Sequence, residues 1–168
     1  MVTLTRGEGE DAFVKKMRLL ISIMVAFIVL GLIWYFAYPI KIQSVMKDTT
    51  KVEKIAFHII SQGETQHYSI QFNQFNEKTN ISELINLLDT VSYHRQLRTY
   101  KGSTGRKIMM FIFYRNKEGA LTNYSFDINE SGIIISDNKQ YQMNGDTERV
   151  FNDVYSWIKK EGEYIPNP

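Results

Sequence analysis

The sequence has no cysteine. That excludes disulfide bridges, cysteine-bound zinc, thiol catalysis and anchoring through a lipidated cysteine. Secreted eukaryotic domains of this size often carry disulfides, so the composition leans towards a bacterial envelope. An excess of one charge is missing too. The four basic and three acidic residues ahead of Leu19 leave 16 Lys/Arg against 15 Asp/Glu in the rest. A domain so close to neutral projects no long-range field, which argues against nucleic acid as a partner.

Catalytic patterns are equally scarce. The three histidines, His58, His67 and His94, lack metal-ligand spacing of the H-x-x-x-H kind. Gly102-Ser-Thr-Gly105-Arg-Lys107 departs from the phosphate-loop pattern, which follows a strand and opens a helix, whereas a strand follows here. There is no G-x-S-x-G. Glu161 and Glu163 fall beyond a helix end and read as solvated charges. The expectation is no catalytic residue, no metal ligand and no cofactor. Internal repeats and low-complexity segments are absent as well.

What the chain does have is a run from Leu19 to Tyr38 without one charged residue, twelve of its twenty positions being Leu, Ile, Val or Phe. As a helix it is roughly 30 Å long, the thickness of a bilayer's hydrocarbon core. Insertion of such a run gains roughly 5 kcal/mol. Lys15, Lys16 and Arg18 abut its start, and clustered positive charge marks the cytoplasmic side. The run exceeds the usual apolar core of a signal peptide and lacks a small-x-small cleavage site, since Tyr35 stands two before Ala37. Trp34, Tyr35, Phe36 and Tyr38 suit a lipid–water interface. The run is therefore expected to be an uncleaved single span with the N-terminus inside. Ser22 and Ala26 make one small-xxx-small pair.

Beyond Pro39 the period changes. Residues 39–51 form a polar connector carrying Ile42, Val45 and Met46. Ile55, Phe57 and Ile59 alternate with Lys54, Ala56 and His58 as in a strand, and Tyr68, Ile70 and Phe72 follow a Gln62-Gly-Glu64 turn to complete a hairpin. Asn80 and Glu83 suggest a capping box opening a helix with Ile81, Leu84, Ile85, Leu88 and Val91 on one face. Residues 93–100 read as a weak edge strand. Ile108 to Tyr114 is apolar on both faces, which places it at a sheet's centre or under a helix. Tyr124, Phe126 and Ile128 alternate, and a short hairpin turns around Asp137 to Lys139. Asp146 or Thr147 caps a last helix bearing Val150, Phe151, Val154, Trp157 and Ile158.

The expected fold is one N-terminal transmembrane helix plus an α+β domain, an antiparallel sheet of about five to seven strands with two helices on one face, in the order β-β-α-β(4-5)-α. The expected boundaries are 1–18 for the cytoplasmic head, 19–38 for the span, 39–51 for the linker, 52–161 for the extracytoplasmic domain and 162–168 for a tail.

With its basic head and single span, its helix from Asn80 to Leu88, its strands from Ile108 to Ile128 and its hairpin ending in Gln140-Tyr-Gln-Met143, the chain resembles single-pass envelope proteins of Gram-positive bacteria that have no assigned activity. A helix on a curved antiparallel sheet is also similar to the cystatin-like and nuclear-transport-factor-2-like folds, an analogy of fold and not of function. The functional expectation is a non-enzymatic, membrane-anchored domain outside the cell that binds or scaffolds another envelope protein or a wall component. The alternatives are an envelope hydrolase whose site assembles only in three dimensions, and a sensor or immunity-type membrane protein. One candidate contact surface is the basic run of Arg95, Arg98, Lys101, Arg106 and Lys107. These residues would gather at one hairpin end and meet anionic headgroups or wall phosphates if the weak strand paired with its successor.

Overall fold

A computed structural model describes residues 7–46, 52–72, 81–98 and 105–166. Contacts divide the chain into two units, Met1–Tyr38 and Pro39–Pro168. The first is a single helix, α1 (Gly7–Ala37). Its stretch Phe13–Ala37 is long and apolar enough to cross a membrane. Lys15, Lys16 and Arg18 belong to the same continuous helix, ahead of Leu19. Apolar side chains stand exposed all round it, Phe27 by 70% and Leu30 by 61%.

The second unit is an eight-stranded, wholly antiparallel sheet with two helices. In chain order it runs β1 (Val52–Ser61), β2 (Glu64–Gln71), α2 (Ile81–Leu88), β3 (Ser92–Gln96), β4 (Lys107–Arg115), β5 (Leu121–Asn129), β6 (Ile133–Ser136), β7 (Lys139–Asn144), α3 (Thr147–Glu161) and β8 (Glu163–Ile165). In space the order is β3-β7-β6-β5-β4-β1-β2-β8. The α+β class is as expected; the strand count is higher by β8, whose three residues are too few to show a period of two. Chain-adjacent strands pair through tight turns. Gln62 and Gly63 (φ 51° and 84°), like Asp137 and Asn138 (φ 47° and 63°), make two-residue loops with both residues left-handed. That turn matches the twist of the strands it joins.

The alternation along each strand sorts its residues between two faces. Ile55, Phe57 and Ile59 of β1, Ile108, Met110 and Ile112 of β4, and Tyr124, Phe126 and Ile128 of β5 form the inner face and are buried. Helix α3 lies on it with Val150, Phe151, Val154, Trp157 and Ile158 turned inward. Asp146 caps that helix by accepting from the Arg149 amide at 3.1 Å. The Trp157 ring meets Phe57 edge to face, and its Nε1 donates to Glu83 of α2 at 2.9 Å, tying the two helices together. The Asn80 cap of α2 lies outside the described residues.

Residues of the expected connector also belong to this core. Ile40, Ile42, Val45 and Met46 are buried, and Ser136 donates to the Val45 carbonyl at 2.8 Å. Ile40 and Tyr93 exchange backbone hydrogen bonds of 2.8 and 2.9 Å, so Ile40 extends the sheet beyond β3. The fully buried Tyr93 hydroxyl donates to the Leu88 carbonyl at the end of α2.

Truncating Trp157 removes a core ring and the α2–α3 hydrogen bond together. Trp157→Ala should lower the unfolding free energy of the full chain in detergent by about 3–5 kcal/mol, read from urea denaturation. A loss under about 1 kcal/mol would mean that α3 is peripheral.

Candidate functional site

Both helices and residues 40–46 serve the inner face, and among the described residues no helix covers the outer one. The register places one rung of outer-face residues across all eight strands: Ile165, His67, His58, Met109, Asp127, Ile135, Gln140 and Gln96. The next rung carries Ser69, Ala56, Phe111 and Ser125, and beyond it Lys54 lies opposite Phe113 and Phe113 opposite Asn123. Met109, Phe111 and Phe113 therefore form an apolar strip along β4, near the middle of the sheet. All three are half-buried. Small neighbours, Ala56 and Ser125, flank Phe111, while exposed Asn123 and Ser125 border the strip on the β5 side.

Two polar groups adjoin the strip. Lys107 Nζ pairs with Asp127 Oδ2 at 2.9 Å, both side chains being largely buried. The other carboxylate oxygen, Asp127 Oδ1, is buried and accepts no hydrogen bond among the described residues. A buried acceptor in that state costs about 1–3 kcal/mol of desolvation that a donor would recover.

The other group is a histidine pair. His58 and His67 lie directly opposite each other on β1 and β2, their ring centroids 4.4 Å apart and edge to face. On the far side His58 stands 5.2 Å from the Phe111 ring. Strand parity explains the closeness. The Phe72 amide donates to the Glu53 carbonyl at 2.8 Å. Odd-numbered β1 residues therefore exchange hydrogen bonds with β2, and even-numbered ones, His58 included, face their partners in the non-hydrogen-bonded pairs where side chains come nearest. Spacing along the chain did not single these histidines out. The signal that could have is the two-residue Gln62-Gly63 loop, because residues equidistant from it pair, and the fourth on either side is histidine.

The basic run does not assemble. Strand β3 pairs with β7 at the sheet edge and is separated from β4 by three intervening strands, so the hairpin that would gather these side chains does not form. Arg95 sits opposite Tyr141. Arg98 donates to Asn138 at 2.8 Å, at the β6–β7 turn. Arg106 pairs with Glu130 at 2.9 Å, donates to Asn152 of α3 at 3.0 Å and covers the Phe151 ring. Lys107 serves Asp127, and Lys101 lies outside the described residues. A run that looks continuous in sequence is dispersed because its two halves join different strands.

On α1, Ser22 and Ala26 line a shallow groove with Ile21, Val25, Val29 and Leu30. No three His, Cys, Asp or Glu side chains among the described residues converge as a metal cluster.

Comparison with protein-family models, curated proteins and solved structures found no match. The site must be read from its own geometry.

Burial first, and the neighbouring His67 second, hold the His58 imidazole below its ordinary pKa of 6.5. The folded chain therefore takes up that proton less readily than the unfolded chain. The resulting stability is present above the unfolded value and is lost as the pH falls below it and through the lowered folded value. The melting temperature of the metal-free full chain should drop between about pH 7 and about pH 5, and His58→Asn should flatten that slope. An unchanged slope in the variant would contradict the assignment.

Proposed function

We propose that this protein is a membrane-anchored binding domain of the cell envelope, held by α1 with the N-terminus inside and the sheet domain outside, and that the outer face of the sheet docks a protein partner. The anchor reading rests on a 25-residue stretch long and apolar enough to span, with Lys15, Lys16 and Arg18 clustered in its first turns. The single observation that carries the docking reading is the half-buried Met109–Phe111–Phe113 strip on an uncovered face, bordered by polar Asn123 and Ser125. An apolar centre within a polar rim is the anatomy of protein–protein contact. The occupant it suits is a protein surface with its own apolar centre. A lipid headgroup surface or a polyphosphate is less suited, because Lys107 is already neutralised by Asp127 and Arg106 by Glu130.

Two experiments test the two halves separately. Protease added to intact wall-less cells should digest the domain and spare the head; a protected domain would overturn the orientation. A photo-crosslinking phenylalanine analogue placed at Phe111 or Phe113 should capture one discrete protein band in native membranes. The same group at Lys159, on exposed α3 surface, should capture none. Labelling of lipid alone from Phe111, or equal protein capture from Lys159, would overturn the docking face.

A further inference from the structure

The histidine pair has chemistry that neither the anchor nor the docking strip uses. We propose that His58 and His67 form a two-imidazole chelate for a late first-row divalent transition ion, Cu(II) binding most tightly, on the outer face of the sheet.

The argument is geometric and does not rest on the docking reading. A metal about 2 Å from a ring nitrogen stands about 3 Å from that ring's centre. Two centroids 4.4 Å apart therefore subtend an N–metal–N angle of about 90°, the cis arrangement of a tetragonal ion. The rings are 81° apart in plane. A turn about the broad, two-fold χ2 of one imidazole brings both nitrogen edges to a common point. The non-hydrogen-bonded register keeps the two Cβ atoms close through the backbone, so little chain entropy is lost on chelation. Burial favours the neutral form of His58, and neutral imidazole is the form that ligates.

The surroundings narrow the choice of ion. Met109 is the register neighbour of His58 on β4 and brings no oxygen donor, and no carboxylate completes a three-residue site among the described residues. A nitrogen pair without carboxylate disfavours Mg²⁺ and Ca²⁺, which require oxygen ligands. Among divalent ions at an imidazole site the affinity order peaks at copper. The remaining coordination positions are left for water.

The test uses the full chain in detergent, free of any oligohistidine tag, titrated with Cu(II) against a competing weak chelator at neutral pH. Electron paramagnetic resonance at one equivalent should show nitrogen hyperfine structure from two imidazoles. Replacing either partner, His58→Asn or His67→Asn, should weaken binding at least about tenfold, the loss of a chelate arm. His94→Asn, on edge strand β3, should leave affinity and spectrum unchanged. Circular dichroism checks that each variant is folded. His67 lies one strand from the sheet edge, so a folded His67→Asn variant decides the matter even if His58→Asn is unstable. Binding that survives both substitutions, a one-imidazole spectrum, or equal loss from His94→Asn, which marks adventitious copper only, would overturn the site.

Discussion

The structure depends on an asymmetry in how its sheet is covered. Strand β4 carries apolar side chains on both faces, yet α2, α3 and the buried turn after Pro39 all pack on the Ile108–Met110–Ile112 side. Burying one face supplies the hydrophobic free energy that holds the domain together. The other face keeps Met109, Phe111 and Phe113 half-buried, shielded only by neighbouring strands. Everything functional argued above follows from that leftover face.

The fold protects the rest of its sheet with small devices. At one edge Ile40 bonds to Tyr93 and so covers β3, and at the other the three residues of β8 pair with β2. Short edges of this kind discourage sheet-to-sheet aggregation. Arg106 joins the start of β4 to Glu130 in the β5–β6 turn and to Asn152 on α3, tying the end of the sheet to the last helix. At Gly132, φ +78°, a Cβ would come within 2.5 Å of the Thr147 side chain at the start of α3. The polar clamp and the aromatic contact of Trp157 with Phe57 hold one face rigid behind the open one.

Local pattern made much of the fold legible. The alternations of Ile55, Phe57 and Ile59 and of Tyr124, Phe126 and Ile128 name strands, and the spacing from Val150 to Ile158 behind Asp146 names α3, because these signals sit within a few residues of each other. Pairing between distant strands left no such trace. That β3 joins β7, and not its successor β4, is decided by how Tyr93 and Met143 share the inner face, a contact fifty positions apart. Local spacing could name Glu83 only as half of a capping box whose other half lies outside the described residues; that its carboxylate also receives the Trp157 indole from another helix left no trace in the pattern. The candidate site was least legible of all. His58 and His67 become neighbours only through the register set at Gln62-Gly63, and the orphan oxygen of Asp127 depends on how the side chains of neighbouring strands enclose it, which composition cannot assign.

Adjacent methionines offer the most direct check on the one-sided sheet. Met109 points to the open face, while Met110 has no exposed surface beneath the helices. Dilute peroxide oxidises a methionine at a rate that follows its access to solvent. Mass spectrometry of the full chain in detergent, with fragmentation between the two residues, should find sulfoxide on Met109 well before Met110. Equal rates, or earlier oxidation of Met110, would contradict the account.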